Sequence, residues 1–589
     1  MAAIAPQPSS QRPPASSGSV NGHAPPSAAL EAVGARPRRP QRRPTKQASY
    51  ELCNHAKAYL EGGQFASGFD FLYSLLAAGT SISTPAQPYI GFLAPPTYIA
   101  LAASLIVWPR VNTKTHSKQS KKGSDAALRY LRCIHTTIDG PAYPTIRKAF
   151  SFPEEHTRRR APAHRSAAAS LSPEPTGDIE RLSGDAANAD SIWTRAEDFW
   201  QLVGWAFNCS VRHRKRWHRW RLWLQTILDF LEADWEFCVK RSQLTEEDKE
   251  AILQESLAWH YILGSASSAN RGARRRMVKA ILARASPESL KDFPEIWTDE
   301  TAGPPRKTKD DTHVGKVDFE TGDMGDYDSD AEMQEVSQEV DGESSSSSAD
   351  EDGSVGGVRA AVKALGGTDA IDLRQRLVAL LTQVAANLPT EFTTLSDLFD
   401  NILEDFTQLP TIIFSTLLST SRLPGLFQVA FCNNLLLPMV SGTVPDYFRH
   451  EPIQQHFEHT LLTLKATSQS FATNAKISLV LEQMMMYMVS QDAFTPTDSL
   501  RTALESGIKA RQSVYGTGKG RKGNAEEEAQ AQEIIKACSE RMLGMFDLLE
   551  MAVGKAAQPL RNGTDSVLLS FGSGSSLSPA PNSDTEVDG

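Results

Sequence analysis

The sequence predicts an all-α protein with two helical blocks, each an irregular bundle or α-solenoid-like array, with long disordered tails and an acidic disordered linker. Apolar residues recur at intervals of three and four over long stretches, which is the spacing of one helix face. Prolines and glycines interrupt these stretches. No stretch shows the alternation of apolar and polar residues that is typical of a half-buried strand.

Residues 1–46 are rich in proline, alanine and serine and have no apolar periodicity. Such a segment cannot bury enough apolar surface to offset the entropy lost on folding, so we expect it to be disordered. Its end is strongly basic, and the cations there are Arg36, Arg38, Arg39, Arg42, Arg43 and Lys46. Basic runs of this kind are typical of nuclear localisation signals and also suit nucleic acid, whereas the alternative is a solubilising tail.

Residues 47–300 form the first predicted helical domain. Its first half has four apolar-periodic stretches, which cover 52–60, 65–76, 97–108 and 126–138. The first two are divided by a Gly-Gly pair and predict a helical hairpin. Residues 152–188 are polar and proline-rich, and we expect a disordered loop there.

One part of this domain is apolar enough to suggest a membrane. The segment from Phe71 to Trp108 contains no charged residue, but prolines divide it, and its longest uninterrupted apolar piece has 12 residues. A membrane-spanning helix needs about 20. The sequence therefore favours a buried core helix and predicts no membrane partner.

The second half of this domain combines tryptophan with arginine. Seven of the ten tryptophans lie between Trp193 and Trp235, and several share one face of a predicted helix over 211–235. Basic residues that could bind nucleic acid or an acidic partner are Arg212, Arg214, Lys215, Arg216, Arg219 and, on a second basic helix, Arg271, Arg275 and Lys279. Arginine interleaved with aromatic residues is typical of single-strand binding. The alternative is that the tryptophans form core and the arginines a solvated helix end.

Residues 301–357 form a predicted acidic, Ser-rich, disordered linker. Between Asp318 and Asp352 there are fourteen Asp or Glu and no Lys or Arg, so this segment repels itself. Three serines have an acidic residue three positions later, which acidophilic kinases favour, and they are Ser329, Ser347 and Ser348. We expect phosphorylation there, which would add negative charge.

Residues 358–556 form the second predicted helical domain, and residues 557–589 a disordered tail. The clearest periodicity in the chain lies here, at Leu373, Leu377, Leu380, Leu381, Val384 and Leu388. Prolines separate further amphipathic helices of a few turns each. No fixed-period repeat is visible, so the sequence indicates no repeat class.

The sequence contains no pattern that indicates catalysis. Gly516 to Gly520 resembles a phosphate-binding loop only superficially, since Ser513 stands where a glycine is needed and no strand precedes it. His456 and His459 have no further ligands at metal spacing. The six cysteines are far apart, which favours reduced thiols. We therefore expect no enzyme, no catalytic or metal-binding residue, no cofactor and no small-molecule substrate.

These observations favour a non-catalytic nuclear scaffold or adaptor subunit that binds other protein subunits through helical surfaces. Chromatin, genome maintenance including DNA repair, and ribosome assembly are the expected settings, because the chain combines a basic tail with an acidic Ser-rich segment. The alternative function is nucleic-acid binding through the basic helices over 211–221 and 271–279.

Overall fold

The computed structural model describes residues 42–79, 87–153, 180–245, 248–263, 271–304, 353–516 and 525–554. They form two compact units. The first unit comprises the described parts of Met1–Val111, Ser117–Ser151 and Ser166–Ser191, and the second those of Asn112–His116, Phe152–Arg165 and Ile192–Gly589. Helices dominate both, and the prediction of an all-α protein is confirmed. Most of each predicted tail and of the acidic linker lies outside the described residues.

The described helices of the first unit are α1 (Tyr50–Glu61), α2 (Phe65–Ala77), α3 (Pro96–Val107), α4 (Lys118–Thr137) and α5 (Tyr143–Ala149), with 3₁₀ turns at Pro109–Val111, Gly140–Ala142 and Asp185–Ala187. The predicted hairpin is present as α1 and α2. Gly63 in its turn has a φ of 74°, which glycine adopts without strain. Helix α4 begins about two turns before the predicted start, because its first residues are polar and show no periodicity.

The first unit also contains a short parallel pair of strands, β1 (Thr45–Gln47) and β2 (Gly91–Leu93). The sequence did not predict it, since three residues are too few for an alternating pattern to appear. Helix α3 forms the centre of the unit, and nine of its 12 residues are buried, so the predicted core helix is confirmed. Within the described part of the chain, no helix has both the length and the apolar character needed to cross a bilayer.

The second unit begins with seven described helices, which are α6 (Ile192–Arg195), α7 (Phe199–Arg212), α8 (Arg214–Leu244), α9 (Lys249–Gln254), α10 (Leu257–Leu263), α11 (Arg271–Ile281) and α12 (Pro287–Asp292). Asp198 caps α7, because its Oδ1 accepts a hydrogen bond from the backbone N–H of Gln201 at 2.7 Å. The helix predicted over 211–235 is interrupted at His213, whose backbone leaves the helical region and separates α7 from α8.

Nine further described helices follow, namely α13 (Gly353–Ala364), α14 (Thr368–Asn387), α15 (Leu395–Phe406), α16 (Thr411–Ser419), α17 (Gly425–Leu436), α18 (Gln454–His456), α19 (Phe471–Ser490), α20 (Asp498–Gln512) and α21 (Ala525–Ala552). A π-helical turn over Phe457–Leu461 continues α18. These helices and α6–α12 belong to one unit. Helices from both sides of 301–357 therefore share one core.

An ion-pair cluster joins α8 to α14 in this core. The guanidinium of Arg376 donates to both carboxylate oxygens of Glu232 at 2.7–2.8 Å and to Asp229 at 2.7 Å. Although burial opposes it, these two carboxylates raise the pKa of Arg376 above its ordinary value. The arginine thus stays charged at this contact and fixes the register of the two helices.

Two fully buried arginines of this unit donate to backbone carbonyl groups rather than to carboxylates. Arg511 donates to the carbonyl oxygens of Leu462 and Leu464, each at 2.9 Å. These carbonyls follow the π-helical turn, where the last carbonyl groups have no donor within the helix. Arg374 similarly donates to carbonyl groups at the ends of α11 and α13, since its acceptors are Ile281, Ala283 and Leu365. Both side chains therefore cap helix ends.

Candidate binding surfaces

The tryptophans of the tryptophan-rich stretch belong to the core of the second unit. All seven between Trp193 and Trp235 are buried. Trp220 packs edge-on against Trp223, with ring centres 5.6 Å apart, and also lies 6.2 Å from Trp297. These rings are therefore not available to stack on bases, and only the basic side chains of this stretch can contribute to a surface.

Arg216, one of the predicted binding residues, is also buried. Its Nη2 donates to the Glu300 carboxylate at 2.8 Å, and Trp205 donates from Nε1 to the other oxygen of Glu300. The guanidinium lies 5.5 Å from the ring centre of Trp220 and 5.7 Å from that of Trp297. Arg216 is consequently part of the core and cannot reach a partner. The sequence pattern missed this because its carboxylate, Glu300, is 84 positions away in the chain.

Three predicted binding residues remain at the surface where α7 meets α8. Arg212, Arg214 and Lys215 are exposed on either side of His213, whereas Arg219 is half-buried. Burial and the neighbouring Arg212 lower the pKa of His213, and Glu295 opposes them. The exposed cations form a small basic tip (Arg212, Arg214 and Lys215) on the second unit.

The predicted cations of α11 are neutralised by carboxylates of the same unit. Arg271 and Arg275 both donate to the Glu404 carboxylate on α15, at 2.6 and 2.5 Å. Lys279 lies 3.6 Å from Asp292 on α12. All three side chains are exposed, but their charges are matched locally, so α11 presents much less positive charge than its sequence predicts.

The N-terminal basic residues are divided in the same way. Arg36, Arg38 and Arg39 lie outside the described residues, and Arg42 and Lys46 are exposed. Arg43 is buried, and it donates to the carbonyl oxygens of Leu76, Ala78 and Tyr89 at and beyond the end of α2. Arg43 is thus a helix cap of the first unit and is not accessible to an import receptor.

Most of the other predicted site residues lie outside the described part of the chain. Ser329, Ser347 and Ser348 lie outside the described residues, as does most of the Gly516–Gly520 loop. Nδ1 of His456 lies 3.2 Å from the Tyr447 hydroxyl. In the described part of the chain, no three His, Cys, Asp or Glu side chains come together as a metal site.

The end of α21 carries a surface that the sequence did not indicate. Glu550 on this helix is 1% exposed and pairs with Arg501 at 2.6 Å, whereas Leu548 and Met551 are 63% and 51% exposed. Val553, just beyond the helix, is exposed as well. We call Leu548 and Met551, which are three residues apart on one face of this helix, the α21 apolar stripe. Polarity is inverted here, because the carboxylate faces inward and the apolar side chains face water.

The sequence periodicity could not reveal this inversion. It predicts one face of the last helix, formed by Ile534, Cys538, Met542, Met545, Leu549 and Ala552. Cys538 and Met542 are buried as predicted, whereas Ile534, Met545 and Leu549 are half-buried and Ala552 is exposed. The last turns are apolar on several faces, so the face that turns toward the core is set by the pairing of Glu550 with Arg501, which is distant in sequence.

The chain matches no protein-family model, and no curated protein is significantly similar to it.

Proposed function

We propose that this chain is a nuclear scaffold or adaptor subunit that holds partner proteins on helical surfaces and catalyses no reaction itself. The α21 apolar stripe carries this proposal. Exposed apolar side chains that lie together, next to a buried ion pair, are typical of a surface that a partner covers. Fully burying one such side chain contributes roughly 1.5–3 kcal/mol, so two or three suffice as the centre of an interface.

The partner surface that best fits the α21 apolar stripe is an apolar helix face. Leu548 and Met551 are three residues apart on α21 and share one helix face, so a second helix can pack against them side by side. A nuclear setting is supported by the exposed Arg42 and Lys46, which continue the basic run of Arg36, Arg38 and Arg39. Arg43 makes no contribution to that signal.

The stripe can be tested by comparing which proteins co-purify with two variants of the full chain. With Leu548→Asp and Met551→Asp together, we expect a partner that is stoichiometric with the wild-type chain to bind roughly 10- to 100-fold more weakly. The reason is that each carboxylate would be desolvated against an apolar partner face. Circular dichroism should not change, since both side chains are exposed.

The matched control replaces Leu244 and Tyr515, which are also exposed but lie outside the stripe, with aspartate. This variant should retain the partner at wild-type stoichiometry. The proposal would be abandoned if the wild-type chain purified without a stoichiometric protein, or if both double variants lost the partner equally.

Nucleic-acid binding is the second candidate function, and the basic tip favours it. If the tip contacts phosphates, replacing Arg212, Arg214 and Lys215 with alanine should reduce the slope of log K against log salt by about 3 for a DNA duplex. Arg271→Ala with Arg275→Ala is the control, and it should change the slope little because Glu404 already neutralises both. The affinity for a DNA duplex is measured between about 50 and 200 mM salt. Equal slopes for the triple variant and the wild type would show that the basic tip does not contact phosphates.

A further inference from the structure

An apolar cleft opens in the second unit between α11, α14, α15 and the segment that joins α16 to α17. The space at the cleft is about 540 Å³ when the open solvent at its mouth is counted. Its floor consists of buried side chains, of which the largest are Phe406, Leu417 and Phe431. Its mouth is formed by the half-exposed side chains of Leu282, Val378 and Leu423. The floor and the mouth together form an apolar depression that is open to solvent.

One charged side chain, Arg374, also lines this cleft. It is buried, it stacks on the Phe207 ring with the guanidinium carbon 4.0 Å from the ring centre, and its Nη atoms cap carbonyl groups. Its Nε atom has no hydrogen-bond partner among the described residues. The cation thus keeps one unused donor in an apolar environment, and an unused buried donor is unfavourable.

A second cation lies near Arg374. Burial and, to a lesser extent, the charge of Arg284, which is two residues beyond Leu282, together lower the pKa of Arg374 to about 9. Burial also lowers the pKa of Arg284. Within the described part of the chain, neither arginine forms an ion pair with a carboxylate, whereas Arg271, Arg275 and Arg376 do. Two neighbouring guanidinium groups without a counter-charge are a site for an anion.

We propose that the cleft binds a segment of a partner protein that inserts one bulky apolar side chain and places a carboxylate beside Arg284 and Arg374. The apolar floor selects the anchor, and the two cations select an acidic segment and repel a basic one. This cleft and the α21 apolar stripe share no residue, so either proposal can fail alone.

The test uses the full chain and fluorescein-labelled peptides of about 12 residues, the length of three helical turns. Each peptide has one leucine, phenylalanine or tryptophan flanked by two glutamates, and a matched set has lysines instead. We expect the fluorescence anisotropy of at least one acidic peptide to rise when the chain is added. The matching lysine peptide should bind at least about tenfold more weakly. If no acidic peptide binds, or if the lysine peptides bind equally well, the proposal is wrong.

Variants of the chain test whether the acidic peptide binds at the cleft. Arg284→Glu should weaken the acidic peptide by about tenfold or more, and Arg284→Gln by less, since it removes the charge without reversing it. Arg449→Glu is the control, because Arg449 is exposed and does not line the cleft, and it should leave affinity unchanged. Unchanged affinity in both Arg284 variants would overturn the proposal. Peptide binding that appears only after deletion of residues 318–352 would also overturn it, because the chain's own acidic segment would then be the occupant.

Discussion

Replacing Arg216 with methionine is expected to lower the free energy of unfolding of the second unit by about 3 kcal/mol at pH 8. Removing Arg216 leaves the Glu300 carboxylate buried without its cation, and Glu300 is 0% exposed. Breaking a buried pair in this way costs more than the pair itself contributes, because the remaining charge is still desolvated. Nine of the ten tryptophans lie in this unit, so tryptophan fluorescence during urea denaturation measures the loss.

The size of this loss should depend on pH. Burial raises the pKa of Glu300 to about 7, and Arg216 opposes this rise. Between its unfolded pKa of about 4.3 and this value, the folded state binds the proton more tightly, so stability falls as pH rises through the window. Without Arg216 the pKa of Glu300 rises further and the window extends above 7. The deficit of Arg216→Met should therefore be smaller at pH 5 than at pH 8.

A second substitution separates charge from packing. Adding Glu300→Gln to Arg216→Met removes the unpaired charge and keeps an acceptor for Trp205, so the double variant should be more stable than Arg216→Met at pH 8. Lys215→Met, at the exposed neighbouring position, should change stability by no more than about 0.5 kcal/mol. A double variant that is no more stable than the single one would show that packing, and not charge, explains the loss.

Arginine was the residue type that sequence reasoning placed least reliably. Arg43, Arg216, Arg374 and Arg511 are all buried, yet nothing in their immediate sequence distinguishes them from exposed neighbours such as Arg42 or Lys215. The burial of each of these side chains depends on a distant hydrogen-bond acceptor, which is a carboxylate or the last carbonyl groups of another helix. Those acceptors come together only in the folded chain, and periodicity within one helix carries no information about them.

The buried faces of the helices are easier to predict from the sequence than the pairing of their charged side chains. The spacing of Leu373, Leu377, Leu380 and Leu381 identifies the buried face of α14, and all four are buried. Apolar burial depends on the helix period, which is local, so a sequence shows it directly. The neutralisation of α11 by Glu404 and Asp292 depends on packing, and the basic helix therefore looks like a binding surface in the sequence but is largely paired in the structure.

Replacing Arg374 with methionine should destabilise the second unit by about 3 kcal/mol. The substitution leaves the carbonyl groups of Ile281, Ala283 and Leu365 without their donor. A buried polar group without a hydrogen bond costs about 1–3 kcal/mol. The loss is smaller than three such costs because methionine also removes a desolvated cation. Arg422, which pairs with Asp372 at the surface, provides the control, and Arg422→Met should change stability by at most about 1 kcal/mol. Urea denaturation followed by tryptophan fluorescence compares the two. Equal stability of the two variants would show that carbonyl capping by Arg374 does not hold α11 and α13 together.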